Sequence, residues 1–215
     1  MTKARRPNVL RQAFLLAALC LSAQGAGAQE AASYADLATG LRFPKMLGQL
    51  GYQRMVTFGD DKLGYCVLYA HPEARAQLCV YDMGHKNLPT GVDSAPFKEA
   101  LGLAVQGTII SSNKAPFSNG KEIASGTPSI EADGRAAKAE MRTFTSDMAQ
   151  LDGSVVRQTH LILMTTGLGK FLKLNYTSRR GSDAFALESR QFVEDFVRFN
   201  GDTMKQLLLA SPPAP

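Results

Sequence analysis

Cys66 and Cys79 carry the most definite chemistry in the sequence. They lie in the stretch Leu63 to Gly84, LGYCVLYAHPEARAQLCVYDMG, whose arms are rich in aromatic and branched residues and whose middle, His71-Pro72-Glu73-Ala74, has turn character. With those four residues as the loop of a β-hairpin, Ala70 faces Arg75, and counting outward sets Cys66 opposite Cys79. Directly opposed residues on antiparallel strands have Cα atoms about 4.5 to 5.5 Å apart, within disulfide reach. Such a bond closes a loop of about 14 residues, for which chain entropy predicts roughly 3 kcal/mol of stabilisation. Paired cysteines are not thiolate nucleophiles, and the twelve residues between these two are not the two of a disulfide oxidoreductase motif.

The remaining candidates for chemistry are sparse. Of the three histidines, His71 falls at the hairpin turn and His85 beyond its far end, roughly 30 Å apart at the rise of a strand, so they cannot share a metal. His160 falls on an apolar strand, as a core histidine hydrogen-bonded to a neighbour. A zinc site needs three or four converging ligands, and only Asp60, Asp61 and His85, at the open base of the hairpin, come near to offering a set. There is no Gly-x-Ser-x-Gly elbow, and Ser125, Ser129 and Ser182 stand in turn or capping contexts. Gly167-Leu168-Gly169-Lys170 shares letters with a phosphate loop but lacks its full spacing and joins two strands. No catalytic residue, metal site or cofactor is assigned.

The start of the chain supplies a compartment. Lys3, Arg5, Arg6 and Arg11 precede the apolar run AFLLAALCL, and small residues follow to Ala28, the pattern of a signal peptide over residues 1–28 cleaved after Ala28. Leu19 before Cys20 argues against lipidation, and Pro7-Asn8 after the arginine pair argues against twin-arginine export. The apolar run is too short to span a bilayer, so no stable membrane insertion is expected. Of 24 Lys and Arg against 19 Asp and Glu, four basic residues and no acidic ones belong to the leader. The mature chain is then nearly neutral, which gives no reason to expect a nucleic-acid partner. Two cysteines in an exported chain, periplasmic or secreted, read as a disulfide.

The elements that must hold these residues are uneven in clarity. Residues 29–42 read as a short helix or irregular lead-in to one domain over 43–210, with 211–215 a disordered tail. A strand is expected near Tyr52 to Phe58, and after the hairpin a helix capped by Asp93 or Ser94 runs to about Ser111, with Phe97, Leu101, Ala104 and Ile109 on its apolar face. Ser112 to Gly134 is a long polar connection with one short strand near Lys121 to Ala124. It is the best candidate for a contact loop, through Lys114, Phe117, Asn119 and Lys121. Ala136 to Thr145, Ser154 to Thr166 and Lys170 to Ser178 form three antiparallel strands. A three-residue turn at Gly167 to Gly169 sets Met164 opposite Leu172, Ile162 opposite Leu174 and His160 opposite Tyr176. A closing helix from Ser182 places Phe185, Phe192, Phe196 and Phe199 on one stripe, with a further turn at Met204 to Leu209. This order indicates an α+β domain with a mainly antiparallel sheet in an α/β/α layered sandwich.

The run LGYCVLYAHPEARAQLCVYDMG, the hairpin TTGLGKFLKLNYT and the helix RQFVEDFVRF resemble a group of exported bacterial proteins without assigned function, and the order of elements is similar to that of PsbP-like domains. That resemblance implies the fold and a non-enzymatic accessory role in the envelope. Two readings stay open: a binding or accessory module contacting another envelope protein, or an envelope hydrolase or metal-dependent enzyme built near Asp60, Asp61 and His85.

Overall fold

The computed structural model describes residues 32–132 and 135–209. The signal peptide and cleavage point expected over residues 1–28, and the tail expected over 211–215, fall outside the described residues. The protein is of the α+β class, organised around one eight-stranded antiparallel sheet.

The cysteine hairpin forms as its residues dictate. Strands β5 (Tyr65–His71) and β6 (Ala74–Tyr81) pair with Ala70 opposite Arg75 and Cys66 opposite Cys79, and the two cysteines are disulfide-bonded. Ahead of them β4 (Leu50–Thr57) pairs with β5, and a short 3-10 turn at Asp61–Leu63 joins the two. Gly64 closes that turn with φ +59, and a Cβ there would stand 1.9 Å from the Val80 carbonyl oxygen, so only glycine fits. The far edge is the two-residue β3 (Met46–Leu47). On the other side β6 is followed by β12 (Lys170–Ser178), β11 (Val155–Gly167), β10 (Glu140–Ala149) and finally β7 (Phe117–Gly126).

Three expectations are corrected. The β11–β12 turn uses two residues, not three: Leu168 and Gly169 both have positive φ (54° and 69°), the geometry of a tight hairpin turn, and Gly167 pairs with Lys170. Every pair therefore slips by one, so that Met164 faces Lys173, Ile162 faces Asn175 and His160 faces Thr177. The 112–134 connection is mostly strand, and the short strand expected near Lys121 to Ala124 is part of a longer one. It contains the ten-residue β7 and then β8 (Ser129–Ala132), which forms a separate ribbon with β9 (Arg135–Lys138) before β10 begins at Glu140. The lead-in is neither helical nor irregular, since β1 (Ala32–Ala35) and β2 (Arg42–Pro44) pair, and Leu41 and Phe43 are fully buried.

Helices cover both faces. Helix α1 (Ala95–Ser111), capped by the Ser94 hydroxyl accepting from the Phe97 N–H, packs Phe97, Ala100 and Leu101 against Phe144, Ile162, Met164 and Phe171. Helix α2 (Ser182–Phe199) buries Phe185, Phe192 and Phe196 against Val67, Tyr69, Leu174 and Tyr176 on the opposite face, joined there by Met204 of α3 (Gly201–Leu209). Phe199 departs from the expected stripe and lies beneath the Arg42 guanidinium, 5.0 Å from its ring centre. The buried Asn200 separates α2 from α3. Its side chain accepts from the Arg42 N–H (2.7 Å) and donates to the Arg42 carbonyl (2.8 Å), tying the lead-in ribbon to the helix junction. No helix among the described residues is long and apolar enough to cross a membrane.

Candidate functional site: a polar groove under helix α1

Strand β12 is central and buried, yet it alternates. Leu172, Leu174 and Tyr176 enter the core on the α2 side, while Lys173, Asn175 and Thr177 project to the α1 side. Their neighbours on that side are set by register. Cys79 stands beside Lys173, Gln77 beside Asn175 and Arg75 beside Thr177 on β6, with Ile162 and His160 on β11. Helix α1 spans this floor with Ala104, Gly107, Thr108 and Ser111, at helical spacing and all small. The space left between helix and sheet is a groove of about 690 Å³, with Leu68, Leu103 and Phe117 completing its walls. Arg75, Lys173 and His160 line it, and no carboxylate does.

His160 is held by two hydroxyls: Ser146 Oγ lies 2.8 Å from Nε2 and Thr177 Oγ1 lies 3.1 Å from Nδ1. Burial, and secondarily the charge of Arg75, push its pKa down to about 4, so the ring is neutral at ordinary pH. The hydrogen-bonded histidine expected from the sequence is thus present on the same face of β11 as Ile162, but beside Thr177 and not Tyr176. Lys173 is half-buried, and desolvation lowers its pKa. Its ammonium lies 5.5 Å from the centre of the Tyr81 ring, whose own pKa burial raises to about 12. Lys173, Leu103 and Ala104 also line a smaller hollow of about 300 Å³ over the disulfide, so the groove continues from His160 past Lys173 to Cys66–Cys79.

The residues singled out from the sequence stand elsewhere. Asp60 caps the 3-10 turn by accepting from the Lys62 N–H (3.0 Å), Asp61 is exposed in that turn, and His85 packs edge-on to Phe171 at 6.1 Å between ring centres. These three do not come together, and no group of three such side chains among the described residues could hold a metal. Nearby, Lys170 donates to Asp82 (2.6 Å) and holds that carboxyl below its usual range.

Of the four contact candidates, Lys114 is exposed in the turn after α1, Phe117 opens β7 and touches the groove, and Asn119 donates to Asp147 (3.0 Å) with φ +55. Lys121 is exposed on β7. All four therefore mark the start of an edge strand, which pairs only with β10 and carries exposed side chains over most of its length. Asn113 occupies part of its outer edge, its side chain donating to the Gly120 carbonyl and accepting from the Gly120 N–H, both at 2.9 Å. A broader, mostly apolar depression of about 1060 Å³ lies between β8 and α2 on the opposite face.

Sequence reasoning missed the groove. The signal was present in KFLKLNYTS, whose alternation of apolar and polar residues is plain, but naming its neighbours requires the sheet order. No protein-family model matches the chain, and no curated protein is significantly similar to it.

Proposed function

We propose that the protein is an exported, non-enzymatic binding module of the bacterial envelope that contacts another envelope protein by strand addition at the outer edge of β7. The observation that carries this reading is the edge itself. A ten-residue strand with one bare side presents a row of unpaired N–H and C=O groups, and natural sheets cover or blunt such rows unless they are used. Asn113 blunts it only at Gly120, which leaves Lys121–Gly126 as the segment a partner strand can extend. A disulfide suits an oxidising compartment, and helices on both faces of the sheet suit the α/β/α, PsbP-like arrangement and its accessory role.

The test is photo-crosslinking in intact cells, with the crosslinker placed at residue 121 and, as a control, at the exposed Leu187 on α2. A discrete adduct is expected at 121 and none at 187. It should disappear when Ile123→Lys places a charge on the edge, and persist in Asp61→Ala/His85→Ala. No adduct at 121, or one indifferent to Ile123→Lys, overturns the proposal.

A further inference from the structure

The groove under α1 has the properties of a ligand site, independently of strand addition at β7. A polar face in the middle of a sheet, roofed by a helix, is costly unless its groups find partners. Asn175 and Gln77 stand side by side on β12 and β6, and their side-chain amides make no hydrogen bond within the described residues. Neither belongs to the sealed, unpartnered polar atoms, which among the described residues are those of Gln150 and Gln158. The two amides therefore open into the groove, with donors and acceptors free.

The charges point the same way. Lys173 lies one residue pair from the amide row in one direction and Arg75 one pair in the other, so a cation flanks the amides at each end. Same-face neighbours on a strand are about 6.6 Å apart, which places the two cations roughly 13 Å apart along the floor. Lys173 is the half-buried one and has no ion-pair partner among the described residues, its ammonium resting on the Tyr81 ring. A flexible ammonium with an aromatic ring behind it and no acid in front can meet an incoming anion without first breaking a salt bridge. Leu68, Ile162 and Leu103 supply apolar surface beside the amides. The volume, about 690 Å³, lies within the range of small-molecule sites, and small residues on α1 keep it open: a Cβ on Gly107 would meet nothing within 4 Å.

We propose that this groove binds a small amphipathic organic acid, its carboxylate paired with Lys173 and hydrogen-bonded by the neighbouring Asn175 and Gln77 amides, and its apolar part laid against Leu68, Ile162 and Leu103. A metal cation is disfavoured by two positive charges and no acid in the lining. A peptide strand is disfavoured because α1 roofs the floor and leaves no free strand edge inside.

The test is an NMR titration of the disulfide-intact protein with three probes of equal chain length, octanoate, octanol and octylammonium, near neutral pH. Octanoate at millimolar concentration should shift the side-chain amide signals of Asn175 and Gln77 saturably, octanol more weakly and octylammonium not at all. Lys173→Met, which replaces a half-buried charge by an apolar chain of similar length, should weaken octanoate tenfold or more and leave octanol unchanged. Gly107→Leu should fill the groove from the helix side and abolish both, with the backbone spectrum otherwise preserved. The proposal is overturned if octanoate gives no saturable shift at these amides, if Lys173→Met leaves its affinity unchanged, or if octylammonium binds as well as octanoate. None of these outcomes depends on β7, so crosslinking at residue 121 reports separately.

Discussion

His160 should make the fold sensitive to acid in a defined window. Its pKa is lowered from the ordinary 6.5 to about 4, mainly because the ring is desolvated between β10 and β12 and secondly because Arg75 is near. The unfolded chain takes up a proton at this residue as pH falls through 6.5, while the folded chain refuses it until about pH 4. Stability is therefore complete above pH 6.5 and declines below it, and the decline stops once the folded ring also protonates. Each unit of pKa difference corresponds to about 1.4 kcal/mol, so the loss is bounded by about 3.5 kcal/mol and falls to about 3 or less because the groove admits water to the ring. Asp36 and Asp82 also have lowered pKa values and contribute their own acid losses, so the measurement must be differential. Denaturant unfolding of the wild type and His160→Gln across this window should show the wild type losing up to about 3 kcal/mol more than the variant, and the two curves running parallel above pH 6.5. Arg75→Gln should raise the His160 midpoint in an NMR titration. Parallel curves throughout, or a His160 midpoint at its ordinary value, would refute the reasoning.

Two further outcomes follow from the hairpin. Cys66→Ala/Cys79→Ala should lower unfolding stability by roughly 3 kcal/mol, the chain-entropy value for a closed loop of this size, and reduction of the wild type should reproduce it in the same assay. Gly64→Ala should cost more than about 4 kcal/mol or prevent folding, because the new methyl would overlap the Val80 carbonyl at a left-handed position. Gly59→Ala, whose Cβ meets nothing within 4 Å, should stay within about 0.5 kcal/mol by thermal unfolding.

What was legible in the sequence depended on burial. The cysteine hairpin could be counted because β5 and β6 each have one apolar face, so a register error would expose it. The β11–β12 register was misjudged by one residue because Leu168 occupies a left-handed position, φ +54, that its side chain does not advertise. Of strand β7, FSNGKEIASG, the sequence shows only the short segment near Lys121 to Ala124, because an edge strand exposed along most of its length has no periodic apolar pattern to extend it. The groove lies one step further away. Lys173, Asn175 and Thr177 are visible as the polar half of an alternating strand, but His160 reaches its place beside Thr177 only with the two-residue turn, and Arg75 and Gln77 join them only through a pairing between segments some hundred residues apart in the chain.

Helix α1 connects these features, and its composition explains how a sheet can keep a wet face under a helix. Its first two turns are seated by Phe97, Ala100 and Leu101 on the apolar cluster around Phe144 and Phe171. At its far end the chain is fastened by Asn113, bonded on both sides to Gly120 of β7. A rod fixed at both ends need not touch the floor between, and the residues of that span beyond Ala104, which are Gly107, Thr108 and Ser111, are small; a Cβ on Gly107 would meet nothing within 4 Å. Larger apolar residues at those positions would close the gap and bury Asn175 and Gln77 without partners, at about 1 to 3 kcal/mol for each polar group left unpaired. The small helix face and the polar strand face therefore require one another. The same fastening bears on the edge: a partner strand that extended over Gly120 would have to displace Asn113 and loosen the end of the roof, which confines strand addition to Lys121–Gly126 as long as the helix stays in place.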